Sequence, residues 1–223
     1  MMNYLLLFFA VIAGYIVANF LRKKDIGNMS IFMAFSGAFL LSITVFELLP
    51  EVFLTQQTYV GIFIMSGILL QIILEFFSKG AEHGHVHLHD ESKGFPWLLF
   101  ISLSIHALLE GFPIKDGNNL LWGVLIHKIP VAVILSFFFL KAQYSKTITL
   151  IFLILFASMT PLGNYISKNF AGVSAYEVEI TAIVIGIFLH VSTTILFESS
   201  KDHKFNLAKL IAIITAIVIA FFL

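Results

Sequence analysis

Cysteine is absent from the 223 residues, and only 12% of them are charged. The first absence excludes a disulfide framework and any thiolate metal site. The second excludes an ordinary soluble domain, in which roughly a quarter of the residues would carry charge. Basic and acidic residues balance at 13 each, so the chain has no electrostatic footprint for nucleic acid. No Gly-rich phosphate-binding loop and no His-Glu-x-x-His stretch occurs. Nucleotide-driven work and zincin-type hydrolysis therefore have no motif to rest on.

Apolar side chains are what the sequence has instead, at 59%. A helix needs about 20 mostly apolar residues to cross a bilayer. Eight such runs fall near 3–21, 30–49, 58–78, 96–115, 119–140, 146–167, 176–197 and 206–223, with short connections. Membrane strands would alternate over about ten residues, whereas these runs are continuous and twice that length. The expectation is an all-α membrane protein forming a single domain over 1–223, with the lipid bilayer as its surroundings. The first run follows Met1-Met2-Asn3-Tyr4 without a basic n-region or a small-residue cleavage site, so it reads as a span and not a signal peptide. Arg22, Lys23, Lys24, Lys79, Lys93, Lys141, Lys146, Lys201, Lys204 and Lys209 flank the odd connections, against Lys115 and Lys168 on the even ones. That bias puts the odd loops in the cytoplasm and both termini outside. Short loops with abundant Phe and Ile point to a prokaryotic plasma (inner) membrane.

The stretch from Ser104 to Pro130, SIHALLEGFPIKDGNNLLWGVLIHKIP, breaks the apolar rule. Charge at the bilayer centre costs about 2.5–3.5 kcal/mol on insertion scales, so ionisable groups there are functional candidates by default. His106 and Glu110 are four apart and share a helix face. His127 lies on the returning span, ten residues after Gly117, while His106 lies eleven before it. At 1.5 Å per residue the two histidines reach nearly equal depth. Two imidazoles and one carboxylate make a natural ligand set for Zn²⁺. Pro113 and Pro130 each withhold a backbone donor, which is expected to free the carbonyls of Leu109 and Ile126. Lys128 would repel a metal ion unless its ammonium pairs with a shared carboxylate such as Glu110, or snorkels elsewhere.

Other polar residues are candidates for the pathway. Glu47 and Glu51 lie near the end of the second span, Gln71 and Glu75 near the end of the third. His190 is intramembrane on the seventh, with Glu198 and His203 near its end. The longest loop, about 79–95, carries His83, His85, His87 and His89 at alternate positions. Neutral imidazoles in such a tract suit Zn²⁺, Ni²⁺ or Cu²⁺.

On these motifs the chain resembles the ZIP (Zrt/Irt-like protein) family of divalent-metal transporters. The resemblance is carried by His106-Ala-Leu-Leu-Glu110-Gly111, His127-Lys128-Ile-Pro130, Thr160-Pro161-Leu162-Gly163, Leu48-Leu49-Pro50-Glu51 and the His-rich loop. It implies eight helices in a 3+2+3 bundle, metal bound between the fourth and fifth, a homodimer, and import of Zn²⁺ with Fe²⁺ or Mn²⁺ as alternatives. Ala107, Lys128 and Val131 stand where binuclear members have metal-binding side chains. The resemblance thus implies one metal held by His106, Glu110 and His127, with the second absent.

The reading is a transporter, not an enzyme: secondary, ATP-independent import by alternating access, with the metal ion as cargo and no cofactor. Two alternatives stand beside it, an intramembrane metal-dependent hydrolase and a non-transporting metal sensor.

Overall fold

The computed structural model describes residues 2–21, 29–55, 58–78, 94–198 and 207–223. Among the described residues there is no strand. The principal helices are α1 (Met2–Leu21), α2 (Met29–Phe53), α3 (Val60–Ser78), α4 (Trp97–Glu110), α5 (Leu120–Lys141), α6 (Lys146–Asn169), α7 (Glu177–Glu198) and α8 (Leu207–Phe222). A single helical turn, Ala171–Ser174, precedes α7. All but α4 and α8 are long and apolar enough to cross a membrane.

Helices follow from the solvent. In hydrocarbon every backbone N–H and C=O must be satisfied within the protein, and a helix does this inside one segment. The outer surface agrees: Phe20, Phe76, Phe197 and Phe222 stand largely exposed. In water such a surface would be an aggregation liability, whereas acyl chains solvate it. This is a multi-pass membrane protein.

Two helices depart from the simple pattern, each at a proline. In α2, Pro50 has no N–H to return to Phe46, and Thr44–Leu48 widens into a π turn that carries Glu47. The fourth apolar run ends as helix at Glu110, not at 115. Gly111 and Phe112 close the last turn onto the carbonyls of Leu108 and Leu109, at 3.1 Å each, before Pro113 stops it. The Leu109 carbonyl is therefore occupied, contrary to the expectation that Pro113 leaves it free. Pro130 does sit inside α5.

The helices fall into two packing groups. In one, α1 packs on α5 and α6, and α4 packs on α6. In the other, α3 packs on α7, and α2 packs on α7 and α8. The groups meet along α2–α5 and α3–α4. Small residues set the closest crossings, as apolar surface gives helices little reason to associate in lipid. A Cβ on Gly163 would run into the Leu108 carbonyl, and one on Gly111 into that of Thr160, so α4 and α6 touch backbone to backbone. The chain thus holds α4 and α5, which carry the polar stretch, against α6 on one side and α2 and α3 on the other.

Candidate metal centre

The i,i+4 spacing on α4 brings His106 Nε2 to 3.1 Å from Glu110 Oε1. From α5, His127 Nε2 reaches to 3.9 Å of the same oxygen. One ligand atom from each of the three residues lies within 4.8 Å of the others. The side chains of His106, Glu110 and His127 are at most 5% exposed. Tetrahedral Zn²⁺ with ligands at about 2.0–2.2 Å wants donor atoms about 3.3 Å apart. The trio needs only small side-chain movements to meet that.

Glu110 divides its labour. While Oε1 faces both imidazoles, Oε2 accepts a hydrogen bond from Lys128 Nζ at 2.8 Å. The ammonium is buried and also lies 5.0 Å from the centroid of Phe156. Thr160 Oγ1 of α6 stands 3.4 Å from Oε2 and donates to the Ala107 carbonyl at 2.7 Å. A buried carboxylate without such partners would be costly. With Lys128 beside it the pair is neutral, and one oxygen is left for an ion.

α3 orients the first imidazole. Gln71 Oε1 lies 2.9 Å from His106 Nδ1, and an amide oxygen only accepts, so Nδ1 carries a hydrogen. In neutral His106 the lone pair is then on Nε2, aimed at Glu110 Oε1. Two lone pairs at that distance repel unless a proton or a metal ion lies between them. The arrangement is that of a ligating histidine held by an outer-shell acceptor. His127 Nδ1, by contrast, is buried with no hydrogen-bond partner among the described residues.

The remaining sequence candidates are placed elsewhere. Glu47 accepts from the Asn119 backbone N–H at 3.1 Å and from its side-chain amide at 2.7 Å, at the start of α5. His190 Nε2 pairs with Glu75 Oε2 at 2.7 Å, across α7 and α3 and half-buried. Neither joins the trio. Glu198 closes α7, but its side chain lies outside the described residues, as do His83, His85, His87, His89 and His203. Sequence reasoning missed Gln71 as a partner of His106 and missed the stripe Thr160, Asn164, Ser167 on α6. Asn164 donates to the carbonyls of Gly111 (3.2 Å) and Ile114 (2.5 Å), and Ser167 to that of Phe112 (2.9 Å). These satisfy the chain where α4 has ended. The signal was available: Asn, Ser and Thr inside an apolar membrane helix hydrogen-bond across to neighbouring segments.

No family model matches the chain. It is similar to Protein zntD of Dictyostelium discoideum, 28% identical over 152 residues, which covers 57% of this chain and 22% of that protein. The chain thus spans less than a quarter of the length of the curated relative it matches.

Proposed function

We propose that this protein is a ZIP-like secondary transporter that imports a divalent transition-metal cation, Zn²⁺ first, by alternating access. The observation that carries the reading is the buried trio His106, Glu110 and His127, whose ligand atoms converge between α4 and α5 inside a membrane protein. Two nitrogens and one oxygen match Zn²⁺, with Fe²⁺ and Mn²⁺ as competitors, and a fourth position is left for water. The similarity to Protein zntD is a second and lighter support. In this reading α1–α3, α4–α5 and α6–α8 form a 3+2+3 bundle in a prokaryotic plasma membrane, with both termini outside and the protein a homodimer. The His-rich loop then faces the cytoplasm.

Lys128 takes the place of a second metal ion, supplying to Glu110 Oε2 the positive charge that a second cation would bring. Metal entry displaces whatever proton lies between His106 and Glu110, since ligands must be deprotonated to bind. The geometry favours carriage over hydrolysis. Glu110 is the one carboxylate of the trio and is already placed as ligand and ion-pair partner, so the trio itself holds no second carboxylate to act as base on a bound water.

The test is ⁶⁵Zn²⁺ uptake into proteoliposomes, for wild type and His106→Ala/Glu110→Ala. Uptake by wild type that the folded variant loses is the expected result. Wild type that binds Zn²⁺ through these residues yet moves none would overturn the transporter and favour a sensor.

A further inference from the structure

The turn between α4 and α5 is one piece with the first helix group. Asp116 Oδ1 accepts from Asn3 of α1 at 3.2 Å and from Lys168 of α6 at 3.0 Å. Asn118 Oδ1 accepts the Lys115 N–H at 3.2 Å, and its amide donates to the Pro113 carbonyl at 3.0 Å. Gly117, at φ +96°, makes the reversal that a side chain would strain. With Asn164 and Ser167 holding the carbonyls of Gly111, Phe112 and Ile114, this turn has little freedom to move apart from α1, α4, α5 and α6.

Toward the second group the same turn presents donors, and that group answers with carboxylates. Lys115 Nζ is 2.5 Å from Glu51 Oε1 in the last turns of α2 and also pairs with Glu177 Oε1 at the start of α7. Asn119 gives both its backbone and side-chain N–H to Glu47. Beneath these contacts Ile114, Leu120 and Val124 are buried in one cluster with Leu40, Ile43 and Leu48 of α2. On the opposite side of the trio the groups are joined by neutral contacts, Gln71 with His106 and Ser102 with the Leu74 carbonyl. The ties of Lys115 to Glu51 and Glu177 and of Asn119 to Glu47 lie at the end that the charge pattern assigns to the outside.

We propose that Lys115 and Asn119, gripped by Glu47, Glu51 and Glu177, form a clasp that closes the outward end of the central site. For the trio to open outward, the turn must part from all three carboxylates and draw the apolar plug of Ile114, Leu120 and Val124 away from α2. Burial works against the Lys115 ammonium, but hydrogen bonds to Glu177 and Glu51 outweigh it and raise its pKa above the ordinary 10.5. The Lys115 ammonium thus stays charged throughout the neutral range. In assigning a direction the inference rests on the transporter reading above, but its test does not need metal to move.

The absence of cysteine makes the test direct. A single thiol is introduced by Ile114→Cys, and its reaction with a membrane-impermeant cationic methanethiosulfonate is timed in proteoliposomes. Labelling should be slow with Lys115 in place and about three- to tenfold faster with Lys115→Ala, as expected for losing two partly exposed ion pairs. Lys115→Arg should restore the slow rate. Lys168→Ala, which breaks a tie inside the first group, should leave the native rate. Equal rates with and without Lys115, or equal acceleration by Lys168→Ala, would overturn the clasp. All four thiol proteins must elute as a single folded species. Faster labelling in a protein that moves no Zn²⁺ would keep the clasp and remove the transporter, and Zn²⁺ uptake with unchanged labelling would do the reverse.

Discussion

Two lysines in this molecule each meet carboxylates, and their surroundings make them different devices. Lys128 and Glu110 are 2% and 1% exposed, whereas Lys115 and Glu51 are each 44% exposed. Taking a charge fully out of water costs several kcal/mol, so the inner pair exists only as a pair. The outer pair keeps much of its hydration whether made or broken, and such contacts are worth about 0.2–1 kcal/mol each. The inner lysine is therefore fixed and sets the charge of the site. The outer one can let go, which suits the proposed clasp, a contact that has to open and close.

The largest effect should come from breaking the inner pair. Lys128→Met leaves Glu110 Oε2 without its cation, and a broken buried pair typically costs about 3–5 kcal/mol. Thermal unfolding in detergent should show a large loss, partly recovered when Zn²⁺ is added, because the metal supplies the missing charge. Adding Glu110→Gln should make the double variant much less unstable than the two single losses combined. Additive losses would mean that the two side chains do not depend on each other.

Gln71 sharpens the inner side of the comparison. Gln71→Leu removes the acceptor that fixes His106 Nδ1–H, and loss of such an outer partner typically weakens metal binding about 10–100-fold. Calorimetry with Zn²⁺, on protein with His83, His85, His87 and His89 replaced by Asn, reads this without the loop's contribution. Binding as tight as in the unaltered centre would remove Gln71 from the site.

How much of this was legible in the sequence depended on how local the cause was. Apolar runs set the helices to within a few residues, because in lipid the backbone has no other way to satisfy itself. The i,i+4 spacing of His106 and Glu110 and the symmetric count to His127 were enough to bring the trio together. What the chain did not declare was long-range. Gln71 meets His106 across 35 positions, and Lys115 meets Glu177 across a helix-group boundary. The end of α4 was misjudged because Pro113 was read as freeing a carbonyl in a continuing helix. In the fold the chain stops being helical first and borrows donors from α6, so Asn164 and Ser167 satisfy the carbonyls of Gly111, Ile114 and Phe112.

Salt should separate the two lysines more gently. The Debye length falls from about 30 Å at 0.01 M to about 3 Å at 1 M, and screening acts on the exposed pair far more than on the buried one. Labelling at Ile114→Cys should accelerate as salt rises, toward but not beyond the rate with Lys115→Ala. The unfolding temperature set by Lys128 should hardly respond. A labelling rate indifferent to salt would mean that the apolar plug, not the charges, keeps the outward end shut.

The smallest effect expected is that of pH, and its near absence is informative. Because the Lys115 pKa is raised, the stabilisation from its charge is fully present below the ordinary lysine value and is lost only as pH rises through the raised one. Between pH 7 and pH 9 the ammonium stays charged. Thiol reactivity itself climbs over that range, so the informative quantity is the ratio of labelling rates with Lys115 and with Lys115→Ala, in which the thiolate fraction cancels. That ratio should stay flat. If it collapsed within the window, a group that titrates below lysine would be holding the turn, and the contrast between a fixed inner lysine and a releasable outer one would have to be redrawn around that group.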